Sequence, residues 1–162
     1  MELIAVPLTP EAFAPYGDVI APGLGERMAI NEGTTERFHD LAKVDVTGGY
    51  TLVNIFRGQP RPRPIAIRMM ERHPLGSQAF VPMRGQDYLI VVARAGKTIE
   101  PGELHAFSAE GGVGVNYHAG TWHHPLLALE SNSDFLVIDR GGPGDNLDEF
   151  WFPDNWPAIS LR

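Results

Sequence analysis

Residues 64–73 read Pro-Ile-Ala-Ile-Arg-Met-Met-Glu-Arg-His. In a β-strand, successive side chains point to opposite faces. One face therefore carries Ile65, Ile67, Met69, Glu71 and His73, and the other carries Ala66, Arg68, Met70 and Arg72. If the aliphatic face fills the inside of a barrel, Glu71 and His73 continue it toward the mouth, where polar groups can bind a ligand. The alternative is that a single Glu or His at a strand end is solvated surface.

Glycine and proline divide the rest of the chain into short apolar runs. The sequence has 18 Gly and 14 Pro and no long stretch with helical periodicity, which is typical of β-rich folds. The apolar runs predict eight strands, at 50–57, 64–73, 78–83, 87–94, 103–108, 113–117, 123–129 and 134–140. Eight strands suit a small closed or sandwich-like barrel. We therefore expect an all-β fold with a few short helices, a cupin-like β-barrel in one domain spanning residues 1–162.

Helices are predicted only near the two ends of the chain. Thr9 is the expected N-cap of a short helix from Pro10 to Pro15, since proline is favoured at the first helical position. Residues 148–152 predict a second short helix, followed by a tail docked by aromatic side chains. Residues 22–36 are Gly-rich and polar, which predicts a surface loop or a loop that closes over a site.

Composition excludes several classes of partner and site. The formal net charge is −7 and there is no cysteine. Nucleic acid and anionic membranes bind clustered Lys and Arg, so neither is expected as a partner. Without cysteine there are no disulfides, thiolate nucleophiles or Cys-based zinc sites. Residues 1–7 lack the pattern of a signal peptide, and nowhere do 18 apolar residues run together, so we expect a cytoplasmic protein.

Three of the six histidines lie within residues 116–125, which read Asn-Tyr-His-Ala-Gly-Thr-Trp-His-His-Pro. His118, His123 and His124 surround one turn between two apolar runs. Imidazole titrates near neutral pH, so the group predicts metal ligands or a general base. The alternative is that one or two of these histidines only stabilise the turn.

Two segments resemble the motifs of cupins. Glu71-x-His73-x4-Gln78 is similar to the first motif, His-x-His-x4-Glu, and residues 118–123 are similar to the second, Pro-x-Gly-x-x-His. A more specific resemblance, to the ureidoglycolate lyase family, runs nearly end to end. The segments that carry it are 11–20, 30–33, 36–41, 71–83, 114–118, 122–126 and 134–142.

The family resemblance implies a cupin-like barrel, commonly a homodimer, that splits ureidoglycolate into glyoxylate and urea during allantoin and purine breakdown. The metal positions of the cupin motifs fall on Glu71, His73, Gln78 and His123. A neutral amide oxygen is a weak ligand for transition metals, so a divalent transition metal is a candidate cofactor and its requirement stays open. His118 and His124 with His73 form an alternative ligand set. No organic cofactor is expected.

Cleavage of ureidoglycolate needs a base for the hydroxyl proton, an acid for the departing urea and a cation for the carboxylate. The candidate bases are His73 and His123. The candidate acids or orienting residues are His118, His124 and Glu71. Arg72 points away from Glu71 in a regular strand, which favours other arginines as carboxylate ligands. The substrate-binding candidates are Arg37 and Arg140, followed by Arg72 and Asn31.

Two other functions fit the same sequence features. A cupin fold alone also allows a non-catalytic protein that binds a small carboxylate or ureide. A metal-dependent cupin enzyme of another reaction class is the second, although its usual set of two histidines and one carboxylate is not legible here. Release of urea or glyoxylate by the purified protein distinguishes a lyase from a binding protein.

Overall fold

A computed structural model describes residues 1–162. Its one α-helix is α1 (Pro10–Phe13), and two 3₁₀ turns span Asn31–Gly33 and Pro101–Glu103. Thr9 caps α1 as predicted, since its hydroxyl oxygen accepts a hydrogen bond from the Ala12 amide at 3.2 Å. None of the helical segments has the length and apolar character needed to span a bilayer.

The strands are β1 (Glu2–Leu3), β2 (Val6–Pro7), β3 (Gly17–Ile20), β4 (Glu26–Ile30), β5 (Thr35–His39), β6 (Tyr50–Gly58), β7 (Ile65–Ile67), β8 (Met69–Arg72), β9 (Gln78–Pro82), β10 (Tyr88–Ala93), β11 (His105–Ala109), β12 (Gly114–Tyr117), β13 (Trp122–His123), β14 (Leu127–Ala128), β15 (Ser133–Gly141), β16 (Asp148–Trp151) and β17 (Ile159–Leu161).

Most strands belong to three stacked layers. The middle layer is a seven-stranded sheet in the order β16-β8-β13-β10-β11-β2, with β14 also paired to β10. One of its faces packs on a five-stranded sheet, β3-β12-β9-β15-β6, and the other on a three-stranded sheet, β1-β17-β7. The predicted all-β class is confirmed. Because the strands pair as separate sheets, the fold corresponds to the sandwich-like alternative of the two predicted arrangements.

Strand β10 imposes this layering. Its sequence, Tyr-Leu-Ile-Val-Val-Ala, is apolar throughout, and all six residues are buried. A strand that is apolar on both faces needs a layer on each side. The inner core, between the two large sheets, contains Phe13, Tyr16, Val19, Phe80, Tyr88, Ile90, Val92, Phe107, Ala109, Val115, Tyr117, Phe135 and Val137. The outer core, between the middle and three-stranded sheets, contains Leu3, Ile65, Ile67, Met70, Leu89, Val91, Ala93, Ile99, Leu104, Ala106, Trp122, Leu127, Ile159 and Leu161.

All eight predicted strands are present, and two of them are divided. The run at 64–73 becomes β7 and β8, and the run at 123–129 becomes β13 and β14. Two predictions for segments outside these strands were wrong. Residues 148–152 do not form a helix, because the backbone of β16 pairs with β8. Much of the predicted loop at 22–36 belongs to the β4–β5 hairpin, which pairs only with itself and is largely exposed.

An interruption at Arg68 changes which residues share a face. Ile65 and Ile67 pack in the outer core together with Met70. An unbroken strand would place Met70 on the face opposite to these isoleucines. Arg68 lies outside both β7 and β8, so the alternation predicted for 64–73 does not continue across it.

Glu71 nevertheless faces the inner core. It is paired with His123, and His123 is paired on its other side with the inner-core residue Val92. Directly paired residues project from the same side of a sheet. Glu71 therefore points between the two large sheets, toward the interior of the fold, as the sequence predicts. The isoleucines of β7 point into the outer core, so they do not share a face with Glu71.

Truncating Phe135 tests the inner core. This ring is fully buried and makes edge contacts with Tyr88 and Phe80, at centroid distances of 5.1 and 6.5 Å. Replacing a buried Phe by Ala typically costs about 3–5 kcal/mol, and we expect F135A to lose about that much free energy of unfolding in urea. The control I4A changes a side chain that is 73% exposed and should stay within about 0.5 kcal/mol of the parent. Equal losses in both variants would contradict the packing described.

Candidate functional site

Four polar side chains meet at one end of the inner core. Glu71 lies on β8, His73 follows that strand, Gln78 begins β9 and His123 ends β13. Oε1 of Gln78 lies 3.2 Å from Nε2 of His73 and 3.2 Å from Nε2 of His123. Oε1 of Glu71 lies 3.6 Å from Nε2 of His123. These four residues, called the polar cluster below, connect the two large sheets.

Aromatic packing holds His123 in place. The ring of Tyr117 stacks on the His123 imidazole, with centroids 4.2 Å apart and planes only 6° from parallel. The His73 ring lies 5.3 Å from the His123 ring on a tilted plane. His123 is 2% exposed. Its imidazole is therefore surrounded by rings and sheet backbone, with little access for water.

Backbone carbonyls determine the tautomer of both imidazoles in the polar cluster. Nδ1 of His73 lies 2.7 Å from the carbonyl oxygen of Asn146, and Nδ1 of His123 lies 3.0 Å from that of Thr121. A carbonyl oxygen only accepts hydrogen bonds, so each Nδ1 carries the proton. Each neutral ring therefore directs the lone pair of Nε2 toward Gln78.

A chain of hydrogen bonds orients the Gln78 amide. Its Nε2 donates to Oδ2 of Asp139 at 3.2 Å, and Nδ2 of Asn54 donates to Oδ1 of the same carboxylate at 3.1 Å. Because a carboxylate only accepts, the amide nitrogen of Gln78 faces Asp139 and its oxygen faces the two imidazoles. Two nitrogen lone pairs and one amide oxygen thus converge beside the Glu71 carboxyl group, and neither imidazole nor the amide directs a proton donor toward the others.

Burial controls protonation in the polar cluster. Loss of hydration, together with the charge of His73, lowers the pKa of His123 from 6.5 to about 3, so this imidazole is neutral at physiological pH. Burial also raises the pKa of Glu71, an effect that His73 opposes and the charge of Glu149 reinforces. The Tyr117 hydroxyl keeps its proton, because burial and the nearby Glu71 raise its pKa.

The polar cluster fits a divalent cation. Ligand atoms of Glu71, His73 and His123 all lie within 4.8 Å of one another, so the structure assembles a set of two histidines and one carboxylate that was not recognised in the sequence. Imidazole, carboxylate and amide groups are ligands that divalent metals accept, and a cation among them gives every converging acceptor a partner. The Nδ1–carbonyl hydrogen bonds are also the contacts that orient metal-bound histidines. Gln78 is the weakest of the four donors, because its oxygen is neutral.

His118 and His124 lie apart from the polar cluster. Nε2 of His118 is 2.9 Å from Oδ1 of Asp18 on β3, and its side chain is 50% exposed. The His124 Nδ1 atom donates to the carbonyl oxygen of Pro125 at 2.7 Å, and burial lowers the pKa of His124 to about 4. The alternative ligand set of His73, His118 and His124 is therefore not assembled, and the structure does not support the role predicted for His118.

Arg72 and Arg140 are engaged in structural contacts. Arg72 forms an ion pair with Asp148 at 2.7 Å, and its guanidinium carbon lies 4.6 Å from the ring of Trp122, an outer-core residue. Its side chain thus points away from the polar cluster. Arg140, also predicted to bind the carboxylate, uses Nε and Nη2 to connect two loops. These two atoms donate to the carbonyl oxygens of Thr47, Gly48 and Pro143.

Arg37 and Asn31 lie on the β4–β5 hairpin and its turn. Both residues are exposed, and no strand outside the hairpin pairs with it. Nδ2 of Asn31 donates to the Thr35 hydroxyl oxygen at 3.3 Å, a contact within the turn. The structure of one chain therefore does not bring these two predicted substrate-binding residues to the polar cluster.

Sequence reasoning missed three residues that position the polar cluster, namely Asn54, Tyr117 and Asp139. A signal for Asp139 was present in β15, where Phe135 and Val137 occupy the inward face and Asp139 continues it. A carboxylate at an inward position of an apolar strand needs a buried partner. Asn54 and Tyr117 carry no comparable signal, because their roles depend on which strands become neighbours.

The buried histidines predict a loss of stability in mild acid. An unfolded histidine binds a proton near pH 6.5, whereas in the folded chain His123 does so near pH 3 and His124 near pH 4. Between these values the unfolded state holds more protons, so the free energy of unfolding falls as pH decreases below about 6.5. Urea denaturation at several pH values, with a chelator present, should show this slope. The slope should be shallower in H123N. It should be unchanged in H105N, which alters an exposed histidine. A slope in H123N identical to that of the parent would contradict the low pKa assigned to His123.

Comparison with known proteins connects this geometry to a family. The sequence model described as "Ureidoglycolate lyase" matches residues 1–158. The chain is 57% identical over 156 residues to a ureidoglycolate lyase of Brucella anthropi, covering 94% of this chain and 90% of the relative. It is 56% identical over 151 residues to a ureidoglycolate lyase of Burkholderia mallei, covering 92% and 88%. With a match across nearly its whole length and relatives this similar, the chain belongs to the ureidoglycolate lyase family.

Proposed function

We propose that this protein cleaves ureidoglycolate to glyoxylate and urea. The polar cluster carries the proposal, because it is a buried group of proton acceptors in a chain whose relatives are named ureidoglycolate lyases. Family membership supports the substrate, and the polar cluster supplies the chemistry that this substrate needs. We place the reaction in the cytoplasm, with which the lack of cysteine agrees.

The reaction moves two protons around one carbon. Ureidoglycolate carries a hydroxyl and a ureido nitrogen on the same carbon, beside a carboxylate. A base removes the hydroxyl proton, the electron pair of the O–H bond forms the carbonyl of glyoxylate, and the C–N bond breaks. The departing nitrogen takes a proton from an acid and leaves as urea. The site therefore needs a base and an acid close to one carbon.

The polar cluster offers both groups. Nε2 of His73 presents a free lone pair, and the Nδ1–H bond to the Asn146 carbonyl stabilises the ring when Nε2 gains a proton. Burial raises the pKa of Glu71, so more of this carboxyl group keeps the proton that the departing nitrogen requires. His123, with a pKa of about 3, is a weak base. We therefore assign His73 as base, Glu71 as acid and His123 as an acceptor that orients the hydroxyl.

The same residues would hold a divalent transition metal, with ligands from Glu71, His73, Gln78 and His123. When bound, such a cation lowers the pKa of an alcohol and polarises a carbonyl oxygen. The neutral oxygen of Gln78 gives a weaker site than a carboxylate would. A bound cation would occupy the Nε2 lone pairs of His73 and His123, so these two residues would then act as its ligands, and without the cation they act as base and acceptor.

We also propose that the protein is a symmetric homodimer, as the family resemblance implies. Strand β6 is the nine-residue free edge of the five-stranded sheet. Asn54 bonds to Asp139 and Phe56 packs on Phe80, so Val53 and Ile55 point outward, 66% and 54% exposed. An unpaired edge beside exposed aliphatic side chains is suited to pairing with its own copy across a twofold axis.

Replacing His73 or His123 by Asn tests the proposed function. Removing a general base or its orienting partner costs about 10²–10⁴-fold in rate, and we expect H73N and H123N to lose turnover in that range. Purified protein is supplied with ureidoglycolate, and urea and glyoxylate are measured. The control H105N changes an exposed histidine on β11 and should keep the parent rate.

Circular dichroism of each variant separates lost chemistry from lost structure. Folded H73N and H123N with rates within about twofold of the parent would remove both residues from the mechanism. No product from the folded parent, with or without added divalent metal, would overturn the lyase assignment. Assays before and after chelation, with metal content measured by atomic emission, show whether the cation is required.

Light scattering on an eluting size-exclusion peak tests the homodimer. One chain has a mass of 17.8 kDa, and we expect the parent to elute at twice that mass. A lysine at the centre of the exposed β6 face should oppose pairing with a second copy, so V53K is expected at the mass of one chain. The matched control I4K places the same charge at another exposed residue and should stay dimeric. A parent that scatters as a single chain would contradict the proposal.

A further inference from the structure

A cavity of about 600 Å³ opens on the side of β8 and β16 that Glu71 faces, and none of the four polar-cluster residues lines it. Met69 lines it and precedes Glu71 by two positions on the same face of β8. Glu149 also lines it and is directly paired with Glu71 across β8 and β16. Residues two apart in a strand are separated by about 7 Å, so the cavity wall lies about one such step from Glu71.

Arg61 and Arg68 line this cavity without using their charges inside the protein. Arg61 belongs to the connection between β6 and β7, and Arg68 to the interruption between β7 and β8. Neither side chain takes part in the ion pairs or hydrogen bonds of the chain, which engage Arg27, Arg57, Arg72, Arg84, Arg140 and Arg162. The two free cations therefore face a concave surface in a chain of net charge −7.

Glu149 is the one carboxylate among the residues that line the cavity. Its Oε2 accepts a hydrogen bond from Nε1 of Trp151 at 3.4 Å, and it pairs with neither arginine. The cavity wall thus carries two positive charges against one negative charge. Such an excess in a concave site attracts a small anion even when the protein as a whole is acidic.

The carboxylate of the substrate has no partner in the polar cluster. Its converging atoms are acceptors, and the charged form of Glu71 repels a second carboxylate. The arginines predicted to bind this group are engaged elsewhere or lie on the β4–β5 hairpin. A guanidinium offers two parallel N–H groups that match the two oxygens of a carboxylate, and the cavity beside Glu71 provides two of them.

We propose that Arg61 and Arg68 bind the carboxylate of the substrate while its hydroxyl-bearing carbon lies at the polar cluster. This assignment rests on the proposed function and adds the subsite that sets the substrate's orientation. It also defines the ligand class as small 2-hydroxy monocarboxylates. A second carboxylate in the same cavity meets Glu149 and is repelled, so dicarboxylates of similar size bind less tightly.

The test compares R61Q and R68Q with R63Q. Arg63 is exposed, lies two residues from Arg61 and does not line the cavity, so R63Q makes the same charge change outside the subsite. Removing a charge-assisted hydrogen bond weakens binding by about 10- to 100-fold. We expect R61Q and R68Q to raise KM for ureidoglycolate by that factor, with a smaller change in kcat. R63Q should keep both constants, and R61K, which keeps charge without the fork, should give an intermediate KM.

Calorimetry with ureidoglycolate provides a readout that does not need turnover. Because the active parent would consume ureidoglycolate during the titration, each change is combined with H73N. Single H73N should bind ureidoglycolate, the combinations with R61Q and R68Q should bind it 10- to 100-fold more weakly, and the combination with R63Q should match H73N. If R61Q and R68Q fold and keep the parental affinity and KM for ureidoglycolate, the proposed subsite is wrong, whatever the turnover rate of the parent. A parent that binds ureidoglycolate through both arginines without releasing urea overturns the lyase function and leaves the subsite standing.

Discussion

Apolar layers have to cover β10 on both faces, because all six of its residues are buried. The five-stranded sheet covers one face and the three-stranded sheet the other. Removal of apolar surface from water, worth about 25 cal/mol per Å², is the main stabilising contribution to such an arrangement. Polar side chains of these sheets therefore gather where the apolar layers end. His123 is paired with Val92 near the end of β10, and the polar cluster forms around it.

The exclusion of water that stabilises the sheets also sets the chemistry of the polar cluster. His123 is kept neutral by burial, and the Asn54–Asp139–Gln78 chain prevents the Gln78 amide from turning its nitrogen toward the imidazoles. Buried acceptors without donors are costly to leave unpaired. An arrangement held by several oriented hydrogen bonds is suited to a ligand, which in the proposed function is the substrate or a cation. Stability and function thus draw on the same buried end of the inner core.

Strands β6 to β15 were predictable from sequence because each is, or is part of, a short apolar run bounded by turn residues, whereas β1–β3 and β17 were not predicted and β16 was expected to be a helix. The polar cluster was predictable because its four residues fall on the metal positions that the resemblance to the two cupin motifs implies. The β4–β5 hairpin was not, since its exposed polar residues give no alternating signal. The contact of His118 with Asp18 joins positions 100 residues apart, so nothing near His118 shows that its imidazole is occupied. Strand pairing, which the sequence alone does not display, decides these contacts.

Strand pairing determines which arginines form ion pairs within the protein and which remain available for a ligand. Arg57 lies directly opposite Asp134, and Arg72 lies directly opposite Asp148, so each strand pair supplies its own carboxylate. Arg68 falls in the interruption between β7 and β8, where its backbone carbonyl accepts a hydrogen bond from the Phe152 amide and no carboxylate is paired with it. Its guanidinium is therefore left without a partner at the wall of the cavity. In the proposed assignment, the irregularity that breaks the alternation of residues 64–73 is the feature that makes this charge available to a substrate.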